Sequence, residues 1–152
     1  MNAVRARATG RVQATKAVSG GLGLAYLIMS GLSGSLSWMG HFGYWSNLVV
    51  AAILMYCCAY FYGGRAGTAI LLHKRDAGWI GTLYGFLTLL TVAFLASWVG
   101  FLQEGIGKVG TADDPFVDYI AKPLFWATLV GFLPAVLVGL WFGNSIKQAG
   151  RC

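Results

Sequence analysis

The sequence predicts an all-α integral membrane protein, a four-helix transmembrane bundle with short loops and both termini cytoplasmic. Three observations predict it. The 152 residues are 57% hydrophobic and 11% charged, with a mean hydropathy of +0.66, whereas soluble chains carry roughly 25% charged residues. Four apolar stretches reach the roughly 20 residues that a helix needs to cross a hydrocarbon core of about 30 Å. The basic residues lie asymmetrically about those stretches. The plan is a basic arm over 1–16, one four-span domain over 17–143 and a short polar tail over 144–152. The spans are expected at 17–39, 44–62, 79–102 and 115–143.

The arm carries Arg5, Arg7, Arg11 and Lys16 and no acid. The apolar run that follows is longer than a signal-peptide core and has no clear cleavage site. The arm therefore reads as lying on anionic headgroups, where each Lys or Arg is worth about 1 kcal/mol, or as an orientation-setting tail. The first span is rich in Gly and Ser, with Ser30 and Gly34 four apart. Such a helix is weak alone, because Gly is roughly 1 kcal/mol worse than Ala in a helix. It needs neighbours, and its serines either bond within the bundle or line a narrow polar path.

Tyr44 and Trp45 open the second span, and Tyr60, Phe61 and Tyr62 close it. This is the aromatic belt expected at headgroup level. Gly63-Gly64 is expected to break or bend the chain. Residues 65–78 then read as a short interfacial helix or as the second span continued. Within them Arg65, Lys74 and Arg75 are the candidate headgroup-binding residues. The third span places Gly78, Gly81 and Gly85 on roughly one face, with Ala93, Ala96, Ser97 and Gly100 extending a small-residue surface. Asp114-Pro115 reads as a helix start, with Asp at the N-cap and Pro at the first helical position.

The fourth span holds the most regular pattern in the chain: Ala127, Gly131, Ala135, Gly139 and Gly143, one small residue every fourth position. Helices in lipid associate by close packing, and small residues at this spacing let two backbones approach. The stripe is expected to pack inside its own bundle or against another subunit. Pro123 and Pro134 fall on the same helix and tend to kink it.

Orientation follows from charge. Arg5, Arg7, Arg11, Lys16, Arg65, Lys74, Arg75, Lys147 and Arg151 fall at one end, and Lys108 and Lys122 at the other. The positive-inside rule makes the first end cytoplasmic. The net charge of +6 lies beside the spans, so anionic lipid headgroups are the expected partner, not nucleic acid.

No Asp, Glu, Lys, Arg or His falls mid-span, which argues against a proton-coupled pump. His41 and His73 are expected on opposite sides. Cys57, Cys58 and Cys152 form no C-x-x-C and no metal spacing. Glu104, Asp113, Asp114 and Asp118 read as a solvated acidic loop. No catalytic residue, metal or cofactor is implied, and no inverted duplication is evident. The expected function is a non-enzymatic structural or accessory subunit of a larger membrane assembly, partnered by other subunits or copies of itself. The alternatives are a homo-oligomeric channel or carrier and, further off, a lipid- or cofactor-handling enzyme. The expected location is a bacterial inner membrane, or an organellar one.

Overall fold

The computed structural model describes residues 2–33, 45–105 and 114–150, and all regular structure among them is helical. Helix α1 spans Ala3–Ser33, α2 Trp45–Leu71, α3 Ala77–Gly100 and α4 Lys122–Ala149. A π-helical turn, Phe101–Gly105, extends α3, and another, Val117–Ala121, leads into α4. Three segments are long and apolar enough to cross a membrane: Leu48–Leu71, Ala77–Gln103 and Val117–Ala149. Among the described residues α1 falls short, since its first half carries the arginines, and residues 34–39 of the expected first span lie outside them.

Three boundaries differ from expectation. Residues 3–16 are part of α1 and not a separate arm. Their Ala6, Gly10 and Ala14 form one small face buried against α2. Gly63-Gly64 does not interrupt α2, which continues to Leu71, so of the two readings of the residues after Gly64 the continued helix holds as far as Leu71. The glycines sit where α1 crosses, so the missing side chains serve an approach and not a bend. Helix α4 also continues past Gly143 to Ala149, anchored by Ile146, which is fully buried.

The chain forms two hairpins. Helix α1 packs on α2 and α3 on α4; α2 then lies on α3 and α1 on α4, closing a four-membered ring. Each hairpin is joined by direct backbone contact. A methyl group added at Gly10 would overlap the Gly63 carbonyl and lie 2.8 Å from Gly67 Cα. A methyl added at Gly81 would overlap the Gly139 carbonyl and lie 2.8 Å from Gly143 Cα. The Ala6 carbonyl faces Gly67 as the Ala77 carbonyl faces Gly143. So Ala6/Gly10/Ala14 against Ala59/Gly63/Gly67 is repeated as Ala77/Gly81/Gly85 against Ala135/Gly139/Gly143. The burial pattern follows: positions 63, 66, 67 and 70 are buried, and so are 139, 142, 143 and 146. The correspondence runs in parallel, hairpin onto hairpin, and is not inverted.

The core lies at this same end of the bundle. Ala14, Ala17, Ala59, Ala66, Ile70, Ala77, Ile80, Phe142 and Ile146 form it. Large apolar side chains elsewhere point outward, Leu133 at 70% and Leu137 at 59% exposure, as lipid-facing positions do. Asp76 caps α3, its Oδ1 accepting from Trp79 N at 3.0 Å, and Asp114 Oδ1 accepts from Phe116 N at 3.0 Å.

The repeat makes a paired prediction. Gly10→Val and Gly81→Val should each lower stability by about 3 kcal/mol or more, since no rotamer escapes the facing backbone. Gly23→Val, with nothing within 4 Å of its Cβ position, should change it by less than about 0.5 kcal/mol. Thermal unfolding in detergent reads all three.

A central apolar cavity as candidate functional site

Above the glycine contacts, side chains come between the helices. At Gly139 and Gly143 α4 meets α3 backbone, but at Gly131 it meets the Leu89 side chain, 2.9 Å from the Cβ position to Cδ2. A leucine now stands where a glycine stood two turns earlier, so backbone-to-backbone contact gives way to side-chain contact. On the α1 side, Gly21 looks across to Val138 at 3.8 Å, and Gly20 to the Trp141 ring at 3.3 Å.

The result is a cavity of about 390 Å³ lined by all four helices. Val18 and Leu22 of α1, Met55 and Tyr62 of α2, Tyr84 and Leu89 of α3, and Pro134 and Val138 of α4 form much of its wall. That volume lies within the range of roughly 300–1,000 Å³ typical of small-molecule sites, which are also found between the helices of bundles. The lining contains no Asp, Glu, Lys, Arg or His. Of its three polar side chains, Tyr62, Tyr84 and Thr88, two bond within the protein. Thr88 Oγ1 donates to the Tyr84 carbonyl at 2.8 Å, and Tyr62 Oη pairs with Thr91 Oγ1 at 3.1 Å. The Tyr62 and Tyr84 rings lie 6.0 Å apart. The wall therefore offers mainly shape and dispersion contacts, and no carboxylate, amine or imidazole.

A second space, about 300 Å³, lies between the far ends of α3 and α4. Ala93, Ala96, Ser97 and Gly100 line it from α3, with Tyr119, Pro123 and Ala127 opposite. The small-residue surface continues here without the helices closing on it.

The residues singled out from sequence thus separate into groups. Gly81, Gly85, Ala135, Gly139 and Gly143 come together in the α3–α4 contact. Gly78 lies 3.3 Å from Leu140 Cδ2, by the Cβ measure, and Gly131 and Ala127 border the two spaces. Ser30 is buried at 7% exposure, and Gly34 lies outside the described residues. Arg65 lies on a helix, and Lys74 and Arg75 lie in the loop that follows it. Arg65 sits within α2, roughly 9 Å along the axis from Leu71 at 1.5 Å per residue, with its guanidinium over the Phe61 ring. Lys74 and Arg75 are exposed beyond the helix end, Lys74 with φ 50°.

Of the first-span serines, expected either to bond within the bundle or to line a polar path, Ser19 is bonded, and the Ser33 side chain, Ser35 and Ser37 lie outside the described residues. Ser19 Oγ bonds the Thr15 carbonyl and Tyr56 Oη, at 3.0 and 2.8 Å, on the outer α1/α2 groove. The cavity wall of α1 is instead Ala, Val, Leu and Gly. Of the acidic loop, Asp114 and Asp118 are described; Asp113 and His41 are not, nor is the Glu104 side chain. No metal-ligating group of three occurs among the described residues. Sequence reasoning missed Ala6/Gly10/Ala14 and Ala59/Gly63/Gly67. Their four-residue spacing was the available signal, masked by the arginines and aromatics between them.

Tyr62→Phe and Thr91→Val should each cost about 0.6 kcal/mol, and the double variant little more than either, as a single interhelical hydrogen bond requires. Thermal unfolding of the four proteins checks this. No protein family, curated protein or solved structure matches this chain.

Proposed function

We propose that all four helices cross the bilayer with both termini on the cytoplasmic side, and that the bundle holds a hydrocarbon chain of lipid type in its central cavity. The reading is that of a small carrier or holder of an apolar molecule, without a coupled ion. One observation carries it: a cavity walled by all four helices whose lining has no charged residue. It takes precedence over the accessory-subunit reading because the α4 stripe, part of the small-residue surface behind the latter, is occupied by α3 at Gly139 and Gly143. The orientation rests on nine basic residues at one end against Lys108 and Lys122 at the other.

A diazirine-bearing fatty acid tests it. On irradiation in detergent it should label cavity residues such as Met55 and Leu89. Gly21→Phe should abolish that labelling without unfolding the protein, because its Cβ has only Val138 at 3.8 Å and opens into the cavity. Labelling confined to outward positions such as Leu27 and Leu133 would sink the idea.

The accessory-subunit reading keeps one specific support. Gly23 and Gly31 of α1 have nothing within 4 Å of their Cβ positions, and Leu27 between them is 63% exposed. A transmembrane helix of another chain fits such an edge. On this reading Gly23→Leu and Gly31→Leu strip a co-purifying partner, or a second copy, from the particle while its melting temperature stays at the wild-type value. Native mass spectrometry gives the composition; unchanged assembly of both variants refutes it.

A further inference from the structure

Arg11 and Arg65 are held on consecutive aromatic rings of α2. The Arg11 guanidinium lies 4.2 Å from the centroid of Tyr60, and Nη1 donates to Tyr60 Oη at 3.0 Å. Its Nε is buried without a hydrogen-bond partner and rests over Gly64, where an added Cβ would be 3.3 Å away. Arg65 lies 4.4 Å from the centroid of Phe61. Both rings are about half exposed, at 51% and 54%. They belong to Leu48–Leu71, a segment apolar enough to cross a membrane.

Neither arginine forms an ion pair among the described residues. The acid described at this end is Asp76, and its Oδ1 is engaged with Trp79 N. Arginine does not lose its proton in proteins. The described residues therefore supply neither guanidinium with a counter-ion, and an anion from outside can take that place. Arg11 is suited to bind one: stacking fixes its plane, Gly64 admits it to the groove, and Nη2 remains uncommitted. A planar fork so fixed matches phosphate oxygens better than a flexible ammonium does.

We infer that the Arg11–Tyr60 and Arg65–Phe61 pairs, flanking Gly64 on α2, form a binding site for the phosphate of an anionic phospholipid. The two rings face the surroundings of a spanning segment, which favours a lipid headgroup over a soluble phosphate. The site depends on membrane insertion and is independent of what fills the central cavity. It also differs from the loop cations Lys74 and Arg75.

Native mass spectrometry of the full chain in detergent tests this, with phosphatidylglycerol and phosphatidylcholine of identical acyl chains titrated in parallel. Phosphatidylglycerol should bind more tightly. Arg11→Gln and Arg65→Gln should each weaken it about fivefold, the scale of one cation at an anionic surface, and leave phosphatidylcholine unchanged. Arg11→Lys keeps the charge but not the stacked fork, and should also weaken it. Lys74→Gln/Arg75→Gln should not. Equal binding of the two lipids, equal losses at the loop variant, or full retention in Arg11→Lys would overturn the site. Displacement by inorganic phosphate, but not by chloride at equal ionic strength, would reassign it to a soluble anion and overturn the lipid. Should Arg11→Gln fail to fold, Arg65→Gln and Arg11→Lys carry the same comparison.

Discussion

Backbone-to-backbone contact at glycine is the constraint on which this structure depends. Two helices in lipid gain nothing from leaving water, so their association needs close approach. Gly10 with Gly63 and Gly67 supplies it in one hairpin, and Gly81 with Gly139 and Gly143 in the other. Both contacts fall at the same end of the bundle, because each hairpin enters and leaves there. The buried residues collect at that end for the same reason: Ala66, Ile70, Ile80, Phe142 and Ile146 fill the space between two joined hairpins. Once the helices cross so closely at one end, bulkier residues beyond the crossing come between them. Leu89 against Gly131 is the clearest case. The cavity follows from the clamps, with no polar group needed to prop it open.

The electrostatics are divided between the two ends. Away from the clamps, Lys122 pairs with Asp118 on an exposed helix surface, an arrangement worth about 0.3–0.5 kcal/mol. At the clamped end cations greatly outnumber acids, and the positions of Arg11 and Arg65 are set by aromatic rings instead of carboxylates. The two arrangements behave differently. An exposed ion pair is satisfied internally and screened by salt. A stacked guanidinium keeps its charge available, since the ring takes none of its remaining donors. The backbone contacts explain why Arg11 lies so deep. Gly10 brings α1 onto α2, so the next residue must lie along the groove, and Gly64 leaves room for it.

How far the sequence reveals this fold depends on what each residue type can mean. Four helices, the position of the second loop and the Asp114-Pro115 helix start were legible, because apolar length and turn chemistry act locally. The contact face of α3 and α4 was legible as a stripe, because Gly81 and Gly139 stand among residues that are plainly helical and apolar. The equivalent face of α1 was not. Ala6, Gly10 and Ala14 are interleaved with Arg5, Arg7 and Arg11, so charge dominates the local reading and suggests a solvated arm. Gly63-Gly64 misled for a related reason. Two adjacent glycines lower helix propensity by roughly 2 kcal/mol together, which reads as a break until a second backbone lies against them. The parallel repeat of the hairpins escaped notice because it resides in the spacing of four small residues. The residues between them share little.

The candidate site was the least legible part, and the reason is physical. A catalytic or metal site depends on particular functional groups, and those groups leave a trace in any sequence that contains them. An apolar cavity depends on volume left between elements, and volume is set by how closely the elements approach elsewhere. Val18, Tyr62, Leu89 and Val138 would look the same in a filled core. What makes them a wall is the glycine contact one or two turns away, which fixes the crossing point and hence the side-chain contact beyond it. Two of the polar side chains bordering the space do not give it away either, because Thr88 bonds its own helix and Tyr62 bonds Thr91. The Arg11 site lies between these cases. Its residue types were visible, but their juxtaposition depends on α1 reaching back along α2 as far as Gly64, and that follows only from the clamp.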